Sequence, residues 1–379
     1  MNKNTTYKRL GDYIREVNVR NTDLSVTNLL GVNLSKQFFP SIANIIGTDL
    51  SKYKVIKKRQ FGCKFMSVGR DGILPISLMK DDKPAIISSA YYVFEVKDEG
   101  ILLPDYLMMW IRRPEFDRQL AFYAGADVRG GVNYDDFCEM PIYIPSIERQ
   151  REIVSEYETL TNRIRINEQM ISKLEETAQT LYQKMFVDGI DKENLPEGWK
   201  MGTLGEVSKY VDEKISLDEL NESDYISTEN MLKDKKGIVL SSNKPSEGRG
   251  TKFSVDDVLL SNIRPYFKKI WRATFDGGSS NDVLCFRAQN EFNPAMLYYT
   301  LVKDSFFDYV MSGSNGVKMP RGDKEWIMKY PVVIPYQKDI EQFQVSINCI
   351  YKYNDYCKQE NSKLTEMQSL LLAKMGQNK

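Results

Sequence analysis

A pattern that returns after about 190 residues constrains this chain more than any single motif does. PIYIP at 141–145 recurs as PVVIP at 331–335. Carried onward without gaps, Ser172, Lys173 and Leu174 meet Ser362, Lys363 and Leu364, and Leu181, Lys184 and Met185 meet Leu371, Lys374 and Met375. Between 141 and 185 the two copies share 11 identities in 45 positions. Upstream the match loosens. Leu10-Gly11 corresponds to Leu204-Gly205, Ser67 and Arg70 to Ser261 and Arg264, Ser88-Ser89 to Ser279-Ser280, and Pro104 to Pro294. Each copy runs in one order: strand-like stretches around Ser-Ser, a Pro-initiated helix, a Gly-rich loop, P-x-x-I-P, then a long helix. This predicts an α+β chain, two mixed α/β domains in pseudo-two-fold tandem repeat, separated by two long helices. The boundaries fall at 1–145 and 201–335 for the domains, 146–187 and 336–379 for the helices, and 188–200 for a linker.

In the first helix, apolar positions fall at Ile153, Tyr157, Leu160, Ile164, Ile171, Leu174, Ala178, Leu181 and Met185, with Asn167 the one polar entry. Steps of four and three alternate, which is a heptad seam. The same ten positions of the second copy hold Phe343, Ile347, Ile350, Asn354, Cys357, Asn361, Leu364, Gln368, Leu371 and Met375. Each seam runs unbroken by Pro or Gly for roughly 50 Å at 1.5 Å per residue, longer than a small domain needs. Stripes this narrow are best buried against each other, and two like units related by a pseudo-two-fold axis favour an antiparallel pair. The amides of Asn354, Asn361 and Gln368 weaken the second seam unless they find partners, in which case they fix register. Two amphipathic helices lying on separate cores are the alternative.

Composition removes whole classes of chemistry. The chain has no histidine, which excludes Ser-His-Asp and Cys-His nucleophilic sites and most zinc sites. No Gly-Lys dipeptide exists to build an ATP-binding Walker loop, no GxGxxG follows a strand pattern, and no Asn-Pro-Pro-aromatic tetrapeptide occurs. Five cysteines (Cys63, Cys138, Cys285, Cys349, Cys357) form no CxxC pair and read as free thiols of a reducing cytoplasm. The first residues lack the apolar core of a signal peptide, and no apolar run is long enough to cross a bilayer. The reading is a chain that binds and positions, with no catalytic residues and no metal.

Fifty-two basic residues balance fifty-two acidic ones, so an affinity for nucleic acid has to come from local clustering. Residues 51–70 contain Lys52, Lys54, Lys57, Lys58, Arg59, Lys64 and Arg70 with no acid, interleaved with Tyr53, Phe61 and Phe65. The second copy has a thinner counterpart in Arg249, Lys252, Arg264, Lys268, Lys269 and Arg272, diluted by Asp256 and Asp257. Such cations could neutralise phosphates and hold register. Two Gly-rich loops, GADVRGGVN at 125–133 and GSNGVKMPRGD at 313–323, add Arg129, Asn133, Asn315, Lys318 and Arg321. These are side chains that read guanine and adenine edges in the major groove. Solvated faces and ordinary turns are the plainer alternative for each cluster.

At this point the order of motifs resembles a known family, the specificity subunits of Type I restriction-modification systems, along essentially the whole chain. The residues that carry the resemblance are the first helix ending in LYQKMF, then LPEGWKMGTLGEV, and VDDVLLSNIRPYFKK at 255–269 within the duplicated frame. The resemblance implies that each variable domain is a target-recognition domain for half of a split site in double-stranded DNA. It implies a helix pair, with Tyr157, Leu160, Ile164, Ile171, Leu174, Leu181, Ile347, Ile350, Leu364 and Leu371 in its seam, that spaces the domains and docks two modification subunits. Those partners would hold S-adenosylmethionine and methylate adenine at N6, and restriction subunits would bring ATP, Mg and nuclease activity. A duplicated coiled-coil scaffold, or a free-standing bipartite DNA-binding regulator, would use the same residues differently.

Overall fold

The computed structural model describes residues 7–41, 47–123, 132–241, 243–289, 292–316 and 318–376. It divides into two compact units, Met1–Glu168 with Gln359–Lys379, and Gln169–Lys358. Each unit holds one globular head and half of each long helix, so the division cuts across the helices rather than around them.

The strands of the first head are β1 (Lys8–Arg9), β2 (Ile14–Glu16), β3 (Leu30–Val32), β4 (Phe38–Pro40), β5 (Lys54–Ile56), β6 (Phe61–Cys63), β7 (Ile76–Leu78), β8 (Ala85–Ile87), β9 (Tyr92–Val96) and β10 (Pro141–Ile142). Its helices are α1 (Val68–Asp71), α2 (Pro104–Arg112), α3 (Pro114–Tyr123) and α4 (Tyr134–Cys138), and α5 (Ile147–Phe186) leads out of it. The central antiparallel sheet has the order β2-β9-β6-β7. Proline sets the helix boundaries. Pro104 opens α2, and Arg113 is forced into extended backbone (ψ 133°) by Pro114, so the chain breaks there and restarts as α3. Phe61 and Phe94 stack across the ladder at 4.7 Å, and Tyr106, Phe116 and Phe137 close the core over them. Burial of each such side chain contributes roughly 1.5–3 kcal/mol.

The second head continues with β11 (Lys200–Thr203), α6 (Leu204–Val207), β12 (Ser208–Tyr210), β13 (Lys214–Ser216), β14 (Tyr225–Ile226), β15 (Arg249–Phe253), β16 (Val258–Ser261), β17 (Ile270–Arg272), β18 (Gly277–Ser279), β19 (Val283–Ala288), α7 (Pro294–Leu301), α8 (Asp304–Ser312), α9 (Lys324–Met328), β20 (Pro331–Ile334) and α10 (Gln337–Lys374). Its sheet β12-β19-β16-β17 repeats the order of the first. The strands carrying P-x-x-I-P, β10 and β20, pair antiparallel with β1 and β11 just before each Leu-Gly. From Pro104 and Pro294 onward the helices and the P-x-x-I-P strands begin 190 residues apart in both heads. Earlier the register differs from the looser correspondence read from sequence. Ile56 and Phe253 close equivalent strands, and Phe61 and Val258 open the next, so Lys64 rather than Ser67 stands opposite Ser261, and Ser67 rather than Arg70 opposite Arg264. Loops between short strands absorbed an insertion that a helix could not.

The two helices pair, and in each unit they pair antiparallel. In the first unit Thr161 faces Gln368 (2.7 Å), and the Asn167 amide donates to Asn361 (2.9 Å) and to Glu360 (2.6 Å). In the second, Asn354 reaches Glu175 at 3.5 Å, and Tyr182 and Phe186 pack on Phe343. All twenty seam positions are buried or half-buried. Each polar residue of the second seam therefore has a partner, although the buried Asn354 Oδ1 has none among the described residues, and the amides of Asn361 and Gln368 set register instead of weakening the pair. Four cysteines are buried and Cys349 is exposed, all as free thiols.

Candidate nucleic-acid interface

The basic run of residues 51–70 comes apart in three dimensions. Lys57, Lys58 and Arg59 form the turn before β6, whereas Lys64 and Arg70 follow it, about 10 Å away along the strand. The turn is tight: Arg59 is left-handed (φ 69°), and the Gln60 side chain accepts the Lys57 N–H at 2.8 Å. Carboxylates distant in sequence meet its cations. Lys58 pairs with Asp82 at 2.7 Å, and Arg59 bonds Glu99 and lies 3.7 Å from Asp105, which raises its pKa. Lys57 alone of the three is exposed without an ion pair among the described residues. At the far end Lys64 is half-buried and Arg70 pairs with Asp71 at 2.8 Å. Arg129 lies outside the described residues. Asn133 caps α4, its side chain accepting the Asp136 N–H at 2.9 Å in a capping box.

In the second head the structure gathers what the sequence separated. Arg264 and Lys268, both left-handed (φ 51° and 50°), bracket a 3-10 turn at Pro265–Phe267. The Gly-rich loop lies directly on this turn. Arg264 N–H donates to Pro320 (2.8 Å), Ile263 bridges to Arg321, and Arg321 and Asn315 exchange two backbone bonds of 2.9 Å. Asn315, Lys318 and Arg321 are exposed, and the Arg321 guanidinium stands 3.2 Å from Asp282. Arg249 and Lys252 are on β15 of the other sheet, where Lys252 pairs with Glu213 at 2.8 Å.

Beside this turn lies a cluster that sequence reading missed. The segment 233–236 docks against it through Asp234 N–H to Phe267 and Lys235 N–H to Lys268, both 2.9 Å. Lys235 and Lys268 share the Asp304 carboxylate at 2.7 Å each, and their hydrogen bonds hold its pKa at about 2. Lys233 sits 4.0 Å over the Phe267 ring, and Lys269, its pKa lowered by burial and by Lys233, donates to Thr228 O. Asp234 and Asp308 also act on Lys268, and Glu229 on Lys269, so acids are interspersed among these ammonium groups. The run KDKK at 233–236 was the signal available. Among the described residues no group of His, Cys, Asp or Glu could hold a metal, and no helix is long and apolar enough to cross a membrane.

Comparison with known proteins places this architecture. Residues 72–176 match the family model described as Type I restriction modification DNA specificity domain. The Type I restriction enzyme HindI specificity subunit of Haemophilus influenzae is 26% identical over 188 residues, covering 47% of this chain and 40% of that one. The match thus spans less than half of that relative. The Type I restriction-modification S subunit of M. genitalium has the same fold across 100% of this chain and 98% of its own, with TM-score 0.56 and 13% identity. A chain solved in work on assembly and conformational transition of the type I R-M system aligns over 98% and 97%, with TM-score 0.50 and 17% identity. Residues 72–176 thus resemble a Type I restriction modification DNA specificity domain, and the chain as a whole shares the fold of these solved structures.

Proposed function

We propose that this chain reads a split site in double-stranded DNA, one half with each head, as the non-catalytic specificity subunit of a cytoplasmic methylation and restriction complex. The observation that carries this reading is the duplication. The head that carries most of the matched specificity domain recurs in the other unit with the same sheet order and, from Pro104 and Pro294 onward, a 190-residue offset, while the surfaces of the two heads differ in charge and in loop chemistry. A common frame with two unlike reading surfaces suits a bipartite, asymmetric target. The helix pair would dock two modification subunits carrying S-adenosylmethionine, and restriction subunits would supply ATP- and Mg-dependent chemistry. This agrees with the lack of histidine and of phosphate-binding loops here.

The test is a chimera in which residues 1–145 are replaced by those of a relative of different specificity, expressed with the modification partner. Mapping methylated adenines should show one half-site changed and the other kept. A change in both halves, or in neither, would refute independent reading.

A further inference from the structure

Three polar atoms of the second head are covered by protein yet have no hydrogen-bond partner among the described residues: Nδ2 of Asn293 and, close together, Oδ1 of Asn262 and Nε of Arg264. Asn262 and Arg264 lie two residues apart on the segment leaving β16, and both side chains are half-buried. Buried polar groups are almost always satisfied, so two orphans on one turn call for a cause. The backbone there is also strained, because Arg264 holds a left-handed conformation (φ 51°) that costs a side chain larger than glycine or asparagine.

Neighbouring backbone bonds hold this turn in place. Asn262 N–H donates to Asp282 (2.8 Å), Arg264 N–H to Pro320 (2.8 Å), and Phe267 N–H to Arg264 (2.9 Å). Gly322 is needed for the close approach, since a Cβ there would lie 2.9 Å from Asn262 Oδ1. Both atoms are covered, so a ligand completes them only when the half-buried side chains turn outward, and over-determined strain with unmet hydrogen bonding marks a turn held ready for that.

The chemistry of the two atoms selects the ligand. Phosphate offers only acceptors, which can satisfy Arg264 but not an amide oxygen. A base edge in the major groove offers both: adenine presents a donor at N6 and an acceptor at N7, guanine two acceptors at O6 and N7. We propose that Asn262 and Arg264 read adjacent base edges, an adenine at Asn262 and a guanine at Arg264, and that the strained turn exists to aim them. The assignment rests on the reading of this chain as a DNA specificity subunit and adds which residues of the second head do the reading.

The experiment selects bound duplexes from a randomised double-stranded DNA library with the full chain, assembled with its modification partner, and sequences them. Wild type should enrich a two-part site. Asn262→Ala should lose its preference for adenine at one position of one half, weakening the wild-type site roughly 5- to 150-fold. Its salt dependence should not change, because no phosphate contact is lost. Arg264→Ala should lose guanine at a neighbouring position of the same half. Arg264→Gly should do the same while melting no lower than Arg264→Ala, since glycine accepts the left-handed turn. Variants that return the wild-type sequence with affinity within twofold, or that weaken all sequences alike, overturn the assignment and leave the two-head reading standing. A wild-type complex that enriches no sequence overturns both.

Discussion

Replacing Lys233, Lys235 and Lys268 together by Ala separates a usable positive patch from a neutralised one. Lys235 and Lys268 share the Asp304 carboxylate, with Asp234 and Asp308 further acids near Lys268, and the place of Asp304 in the first turn of α8 keeps it favourable after the lysines are removed. Each phosphate contact contributes about 0.9 to the slope of log affinity against log salt. Lys233 has no ion pair among the described residues, and Lys235 and Lys268 share one carboxylate, so at most two contacts' worth of charge is lost and the slope flattens by up to about 1.8. Between 50 and 200 mM salt the wild type should therefore lose up to roughly 12-fold more affinity than the variant. The matched control is Lys57, Lys58 and Arg59 to Ala. Asp82, Glu99 and Asp105 already hold Lys58 and Arg59, which would have to break those pairs to meet DNA. Only Lys57 is unpaired among them, so this slope should change by about 0.9 at most. Fluorescence anisotropy of the assembled complex on a non-specific duplex across a salt series reads both. If the second variant flattens the slope as much as the first, the pairing of charges in the fold does not govern which cations meet phosphate.

Asn167→Leu should lower stability by about 1–3 kcal/mol, because it leaves Asn361 and Glu360 without their buried donor, and the double variant with Asn361→Leu should recover most of that. Equal melting temperatures for the single and double variants would refute a register role. Burial lowers the Lys303 pKa to about 8, below its unfolded value of 10.5, so the folded state sheds its proton first. Stability from this residue then rises between about pH 8 and 10, and Lys303→Met should melt higher at pH 7 and show a smaller rise, read by thermal melts across that range. A thiol reagent should modify Cys349 quickly and the other four cysteines only on unfolding; several fast thiols would contradict the packing.

The helices were the most legible part of this protein because a helix counts residues rigidly. One inserted residue turns the seam by about 100°, so a heptad pattern and a fixed offset survive only together. That is why all ten positions in each helix were assigned from sequence, down to Asn167 and Asn361, whose contact across the pair sequence could only leave open. In the heads, short strands end in loops that take up insertions, and the looser upstream correspondence slipped by three residues at Ser67 and Ser261. The candidate site was legible in part. Arg264 and the loop around Asn315 and Arg321 were marked by residue type, whereas Lys233 and Lys235 reach the same turn from about 30 residues away. The run at 57–59 looked unopposed because its carboxylates lie 24 to 46 residues further along the chain.

The frame and the reading surface can be told apart by comparing one turn in both heads. Arg59 and Asp256 occupy equivalent left-handed positions (φ 69° and 74°), and each donates its N–H to the neighbouring strand at 2.8 Å, to Met79 and to Ala273. The next residue closes its own turn in both cases: Gln60 accepts Lys57 N–H and Asp257 accepts Ser254 N–H, each at 2.8 Å. Each also reaches the adjoining strand, Gln60 donating to Glu95 (2.9 Å) and Asp257 accepting from Arg287 (2.6 Å). The geometry is kept while the charge changes sign, and a position that tolerates inversion without moving its backbone is serving the fold. Beyond the other end of β6 and β16 the opposite holds. There one head builds the short helix at Val68–Asp71 and the other the strained turn around Pro265, with different side chains on different backbones. If, as proposed, the two heads read different sequences, they must differ where they touch the bases. The exits of β6 and β16 are the place where a shared frame permits it.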